Sequence, residues 1–111
     1  MSEIFFRSAA LLGDDAMRKL AAARILVVGV GGVGGWCAEA LARTGVGHIV
    51  LMDDDMVAAS NINRQCPATA STIGMPKAEV MAARLKAINP GLDVKALPRR
   101  YEGGEFAPCD I

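Results

Sequence analysis

The sequence predicts an α/β fold, namely the N-terminal half of a Rossmann-like, doubly wound parallel sheet preceded by an N-terminal helix. Two short apolar runs, residues 25–28 and 49–52, are rich in β-branched side chains and are typical of strands buried on both faces. A glycine-rich turn over residues 29–34 separates the first run from a helical pattern. Strand and helix patterns then alternate along the chain, which favours parallel strands joined by right-handed crossovers.

The first half of the chain contains two predicted helices and two predicted strands. In chain order they are a helix over residues 13–23, a strand over 25–28, a helix over 36–44 and a strand over 49–52. Asp14 and Asp15 favour the first helix because they lie at its positive end. Gly45 is suited to end the second helix.

The second half predicts one more helix and one more strand. Residues 58–74 are polar and predict a loop with a short helical turn. Pro76 suits the first turn of a helix, which Asn89-Pro90-Gly91 stops, and residues 93–97 alternate as in a strand. Residues 108–111 resemble the opening of a further strand. Because a sheet ending there would leave an edge unpaired, we expect residues 1–111 to be the truncated N-terminal part of a longer domain.

Charge and composition exclude several classes of protein. Twelve basic and twelve acidic residues give a formal net charge of zero, which provides no basic arm for nucleic acid. The longest apolar stretch is far shorter than the about 20 residues of a membrane span, and the N-terminus lacks a signal-peptide pattern. We therefore expect a cytoplasmic protein with no membrane partner. Three cysteines without CxxC spacing argue against a disulfide framework and a zinc site.

Residues 29–34 form a G-x-G-x-x-G motif between a predicted strand and a predicted helix. Glycine allows a sharp turn and lets a phosphate approach main-chain N–H groups, to which the helix N-terminus adds partial positive charge. Asp53 lies 22 residues after Gly31, where its carboxylate can accept hydrogen bonds from ribose hydroxyls. These two features predict a nucleotide site, and alone they would fit a dinucleotide-binding oxidoreductase.

Four polar residues after the second strand favour a polyphosphate over a nicotinamide; they are Asp55, Asn61, Arg64 and Lys77. Arginine and lysine can neutralise phosphate oxygens, whereas aspartate and asparagine offer the hard oxygen atoms that Mg²⁺ prefers. Taken singly, each residue fits an ordinary structural role better than a site, with Arg64 and Lys77 as solvated surface charges and Asp54 and Asp55 as turn caps. Together, after a glycine turn, they predict a nucleoside-polyphosphate site.

The motifs together resemble the ThiF/HesA/MoeB-like adenylating enzymes, which are related to ubiquitin-activating enzymes. The resemblance covers nearly all of residues 7–97. It is carried by Arg7-Ser8-Ala9-Ala10-Leu11-Leu12-Gly13, the glycine turn, Leu51-Met52-Asp53-Asp54-Asp55, residues 60–65 and Gly74-Met75-Pro76-Lys77. Residues 42–47, 61–65 and 77–82, with Ile88-Asn89-Pro90, are similar to the branch that dehydrates N6-threonylcarbamoyladenosine in tRNA.

This resemblance implies a site for ATP and Mg²⁺ and a reaction that activates a carboxylate. The phosphates of ATP would be held by the backbone of Gly29, Gly31, Gly32 and Gly34. Asp53 would hold the ribose, and the triphosphate and its Mg²⁺ would be faced by Asp55, Asn61, Arg64 and Lys77. The resemblance assigns no direct metal ligand within this chain.

The resemblance also implies partners. These enzymes are typically homodimers, so Arg7 would reach as an arginine finger into the partner subunit's site, making Arg7, Arg64 and Lys77 the catalytic side chains. The tRNA substrate would bind through a C-terminal half that this chain lacks. Cys66 matches no catalytic cysteine of the family, and Trp36 is expected to pack in the structure and not to stack on a base.

Three alternative functions are compatible with some of these observations. The first is an adenylyltransferase that activates the C-terminus of a ubiquitin-like sulfur-carrier protein in thiamine or molybdopterin synthesis. The second is an inactive fragment that binds a nucleotide or dimerises. The third is an NAD-binding domain, which the cluster of Asn61, Arg64 and Lys77 opposes.

Overall fold

The computed structural model describes residues 3–103 and 109–111, in which helices pack on a three-stranded sheet. The elements in chain order are α1 (Phe6–Leu12), α2 (Asp14–Ala22), β1 (Arg24–Val28), α3 (Gly32–Thr44), β2 (His48–Met52), α4 (Lys77–Ile88) and β3 (Asp93–Leu97), with short 3-10 helices at Glu3–Phe5 and Ala59–Asn61. The predicted Rossmann-like fold class and its N-terminal helix are therefore confirmed.

The three strands are parallel, lie in the order β1-β2-β3 and start and end level with one another. Val28, Met52 and Leu97 lie side by side at their carboxyl ends. The loops that leave these ends therefore begin at one edge of the sheet. In open α/β sheets this is the edge where ligands bind.

The core lies between the sheet and helices α3 and α4. Ile49 and Leu51 lie on the same face of the central strand and are fully buried, whereas Val50 on the opposite face is only half-buried, so the predicted burial on both faces is not observed. Both helices present buried apolar side chains to the same core, among them Ala38 and Ala42 of α3 and Met81 and Leu85 of α4. Packing on this core fixes the N-terminus of each helix relative to the ends of the strands.

Two element boundaries differ from the sequence predictions. Helix α3 begins at Gly32 and not at residue 36, because its first turns are rich in glycine, whose low helix propensity hides the true start. Helix α1 was not predicted, because its seven residues are fewer than the window of about 11–18 residues in which a helical period can be recognised. The strands at residues 24–28, 48–52 and 93–97 match the predictions to within one residue.

The last described residues pair with β1. The Asp110 N–H donates to the Arg24 carbonyl at 2.8 Å, and the Leu26 N–H donates to the Ile111 carbonyl at 2.9 Å. This pairing agrees with the predicted opening of a further strand, although Pro108 lies outside the described residues. None of the helices in the described part of the chain has the length and apolarity to cross a membrane.

Candidate functional site

The glycine turn links β1 to α3 at the carboxyl edge of the sheet. Gly29 has a φ of +85°, a left-handed conformation that side chains other than glycine rarely adopt. Gly31 precedes the helix, and no side chain among residues 3–103 and 109–111 caps the N–H groups of the first turn. These donors, with the partial positive charge of the helix end, can bind an anion such as a phosphate.

The Asp53 carboxylate ties the end of β2 to the glycine turn. Its Oδ2 accepts a hydrogen bond from the Val30 N–H at 2.9 Å, and its Oδ1 accepts one from the Asp55 N–H at 2.8 Å. Together the two hydrogen bonds fix the direction of the carboxylate. Asp53 therefore lies beside the glycine turn, as predicted.

Lys77 reaches the same edge from the start of α4. Its residue is only 6% exposed, yet its Nζ lies 3.6 Å from the Asp55 Oδ2. The Lys77 N–H also donates to the Asp55 carbonyl at 3.1 Å. A buried ammonium requires a counter-charge, and a flexible stem allows it to follow a negatively charged ligand at this position.

The loop that carries Asn61 and Arg64 uses both side chains internally. The Asn61 Oδ1 accepts the Ala58 N–H at 2.9 Å, and the Arg64 Nη1 donates to the Ser60 carbonyl at 3.0 Å and to the Asn63 Oδ1 at 2.9 Å. Asp53, Asp55 and Lys77 are therefore connected by hydrogen bonds and an ion pair. The side chains of Asn61 and Arg64 make no contact with these three residues.

Arg7 lies apart from this group, on α1. Its side chain is exposed, and it makes no hydrogen bond or ion pair within residues 3–103 and 109–111. A role for Arg7 in a partner subunit's site is therefore not tested by a single chain.

A cavity of about 390 Å³ opens beside the acidic residues. It is lined by Val28, Gly29, Met52, Asp53, Asp54, Asp55, Arg99, Arg100 and Tyr101. The last three of these residues were missed from the sequence. Their signal was position alone, because they follow β3 directly and so emerge at the same edge as the glycine turn.

The acidic residues fit a hard divalent cation. One carboxylate oxygen from each of Asp53, Asp54 and Asp55 lies within 4.8 Å of the others. Oxygen donors of this kind suit Mg²⁺, which usually binds one or two carboxylates together with substrate phosphates.

Cys66 is buried behind this site and is not an activated nucleophile. Burial raises the pKa of its thiol, and the Sγ lies 3.7 Å from the Glu39 Oε1. The hydrogen bond from Arg84 lowers the pKa of Glu39, so this neighbour is an anion that disfavours a thiolate. A neutral, packed thiol agrees with the expectation that Cys66 has no catalytic role.

A glycine turn, an acidic cluster and a buried lysine at the carboxyl edge of a parallel sheet are typical of nucleotide-binding α/β proteins of the Rossmann type. The family model described as "ThiF family" matches residues 5–108. The chain belongs to the ThiF family.

Individual relatives agree with this assignment. The tRNA threonylcarbamoyladenosine dehydratase of Escherichia coli (strain K12) is 54% identical over 86 residues, which are 78% of this chain and 32% of that protein. The sulfur carrier protein ThiS adenylyltransferase of the same organism is 42% identical over 89 residues, covering 80% of this chain and 36% of that protein. The chain thus spans about a third of the length of these relatives.

A solved structure shows the same fold. The crystal structure of the E. coli tRNA N6-threonylcarbamoyladenosine dehydratase in complex with ATP matches with a TM-score of 0.84 and 49% identity. The match covers 86% of this chain and 40% of that one.

Proposed function

We propose that residues 1–111 form the ATP-binding part of an enzyme that dehydrates N6-threonylcarbamoyladenosine in tRNA. The observation that carries this proposal is the buried Lys77 ammonium, which lies against Asp55 at the same sheet edge as the start of α3, where the N-cap Gly31 has no side chain to cap the first-turn N–H groups. The similarity to the E. coli dehydratase at 54% identity supports the choice of substrate.

The proposed chemistry overcomes the poor reactivity of a carboxylate. A carboxylate oxygen of the threonyl group attacks the α-phosphorus of ATP, the bond to the β-phosphate oxygen breaks, and pyrophosphate leaves. The resulting acyl-adenylate is then attacked by an atom of the same modified nucleoside, and ring closure expels AMP. One carboxylate oxygen leaves with AMP, so the substrate loses the elements of water overall.

Positioning and charge stabilisation are the tasks of this chain. The first-turn N–H groups of α3, with Gly29, Gly31, Gly32 and Gly34, would hold the phosphates, and Asp53 would accept the ribose hydroxyls. Lys77 would release Asp55 and stabilise the departing pyrophosphate, while Arg64 would turn from its own loop toward the same oxygens and Asn61 would support it. Mg²⁺, when bound near Asp55, would neutralise phosphate oxygens.

A homodimer in which Arg7 enters the partner subunit's site is part of the proposal. Helix α1 supports it, because Phe6 is 72% and Leu11 84% exposed. A second copy of the chain would cover these apolar side chains and bring Arg7 to a neighbouring nucleotide. For location, we propose the cytoplasm, where the tRNA substrate is present.

A Lys77→Met variant of the full-length protein tests the proposal. Removing the ammonium while keeping the length of the buried side chain should lower ATP-dependent turnover by about 100-fold, the usual loss for one group that stabilises transition-state charge. The assay measures AMP release and loss of one water mass from tRNA that carries threonylcarbamoyladenosine.

Lys19→Met is the matched control, because Lys19 lies exposed on α2, and α2 contributes no residue to the cavity beside the acidic residues. It should keep wild-type turnover. Equal activity of Lys77→Met and wild type would contradict the proposed role of Lys77.

The second candidate is activation of a ubiquitin-like sulfur-carrier protein. The 42% identity to the ThiS adenylyltransferase favours it. ATP–pyrophosphate exchange that requires a carrier protein and does not depend on tRNA would establish this alternative. Nucleotide binding by the full-length protein without exchange in either case would indicate an inactive nucleotide-binding protein.

A further inference from the structure

The segment that follows Asn63 lies directly on the first two turns of α3. An added Cβ on Gly31 would come within 2.9 Å of the Gln65 Oε1, and one on Gly35 would come within 3.1 Å of the Cys66 Cβ and 3.3 Å of the Pro67 Cδ. The two glycines thus leave the space that the segment occupies. Residues 64–67 are held at the glycine turn itself.

The side chain of Trp36 on α3 makes one hydrogen bond to this segment. Its Nε1–H donates to the Arg64 carbonyl at 3.0 Å, whereas the residue as a whole is 52% exposed. An indole that keeps half its surface in water gains little from burial at this site, so the hydrogen bond defines its orientation. The bond acts on the backbone of the residue whose guanidinium is proposed to reach the triphosphate.

The Gln65 side chain packs beside Gly31, and this position leaves one of its polar atoms without a hydrogen bond. Its Oε1 is buried and has no hydrogen-bond partner among the described residues. A buried polar atom without a partner destabilises a fold and is rare in native proteins. The amide fills the space beside Gly31, so the loop and the glycine turn cannot move independently.

We infer that Trp36 is a positioning residue, whose indole N–H sets the Arg64 backbone against the glycine turn and thereby places the Arg64 guanidinium for nucleotide chemistry. The inference rests on the adenylation proposed above. Trp36 itself touches no substrate in this role. The exposed face of its ring is not required to stack on a base.

Trp36→Phe in the full-length protein is the test, because it keeps an aromatic ring and removes only the donor. ATP–pyrophosphate exchange, normalised to the folded fraction, should show a kcat lower by about two- to tenfold, as expected for one lost hydrogen bond. The KM for ATP should stay within about twofold, since the first-turn N–H groups and Lys77 are unchanged. A merely structural role would lower the folded fraction and leave the normalised kcat intact.

Amide hydrogen exchange tests the contact independently of catalysis. The Arg64 and Gln65 N–H groups both donate to the Asn61 carbonyl, and they should exchange faster in Trp36→Phe than in wild type. Cys37→Ala is the matched control on the adjacent, exposed residue, and it should behave as wild type in both measurements. Unchanged kcat and unchanged exchange in Trp36→Phe would overturn the inference.

Two further outcomes are distinguishable. Wild-type protein without ATP–pyrophosphate exchange would contradict the proposed adenylation, while faster amide exchange in Trp36→Phe would still establish the contact. If Trp36→Phe does not fold, the sequence-specifically assigned indole N–H resonance of Trp36 in the wild type decides. It should exchange slowly with solvent despite the exposed ring, and rapid exchange would refute the hydrogen bond.

Discussion

Gly34 shows how a single residue joins the fold to the site. A Cβ at this position would lie 1.7 Å from the Gly29 carbonyl oxygen and 3.6 Å from the Val27 Cγ1. The helix therefore packs on the turn and on β1 at a distance that only a hydrogen atom permits. By contrast, a Cβ on Gly32 would meet no atom within 4 Å.

These contacts predict opposite effects of two alanine substitutions. Gly34→Ala should lower the free energy of unfolding by about 1–3 kcal/mol, because the backbone must shift to relieve the overlap. Gly32→Ala should leave it unchanged or raise it by up to about 1 kcal/mol through helix propensity. Urea denaturation followed by circular dichroism measures both, and equal stability of the two variants would show that the close approach is wrong.

The residue types at the site could be predicted more readily than their contacts. Asp53 and Lys77 were predicted because each follows or opens an element whose pattern is clear. Tyr101 follows a predicted strand, but no chemical motif distinguishes it from an ordinary loop residue. The hydrogen bond from Trp36 to Arg64 joins residues 28 positions apart, and no local pattern encodes that contact.

At the scale of elements, the two ends of the parallel strands carry different groups of residues. The carboxyl ends meet the glycine turn, whereas the amino ends carry a row of polar residues, Arg24, His48 and Asp93. His48 Nδ1 lies 2.8 Å from the Asp93 Oδ2, joining β2 to β3. The hydrogen bond with His48 lowers the pKa of Asp93, with Arg24 and Lys86 adding smaller attractions.

This pair predicts a pH dependence of stability at the acidic end. A carboxyl group with a lowered pKa in the folded state stabilises the fold above its ordinary pKa of 3.8, and that contribution is lost as the pH falls through the lowered value. Wild type should therefore have a higher Tm than Asp93→Asn at pH 5 to 6, by a few degrees at most for an exposed pair, and the difference should vanish near pH 2. A difference that is constant down to pH 2 would contradict the ion pair.

Strands were easier to predict than helices in this chain. The apolar runs at residues 25–28 and 49–52 are short, continuous and bounded by glycine or aspartate, and burial of the central strand keeps its pattern clear. The N-terminus of α3 could not be predicted because the residues that allow close packing and phosphate approach are those with poor helix propensity. Helix α1 could not be predicted because it has only seven residues, too few for a helical period to be recognised.

At the scale of the whole molecule, three separate stretches of chain converge on one edge of the sheet. The glycine turn, the acidic residues after β2 and the start of α4 are joined by Val30–Asp53 and Asp55–Lys77 contacts. The loop of Asn61 and Arg64 is attached to the same edge through Gln65 and Trp36. This arrangement predicts that a nucleotide should touch all four stretches at once.

Chemical-shift mapping of backbone amides during titration with ATP and Mg²⁺ tests whether a nucleotide contacts all four stretches. The largest perturbations should fall on residues 29–34, 53–55, 61–65 and Lys77, even if binding to the 111-residue chain is weak. In Trp36→Phe, the chemical-shift perturbations of residues 29–34 and 53–55 should remain, and those of residues 61–65 should become smaller. Perturbations that are absent, scattered over the surface or gathered at Arg24, His48 and Asp93 would contradict an ATP site at the carboxyl edge.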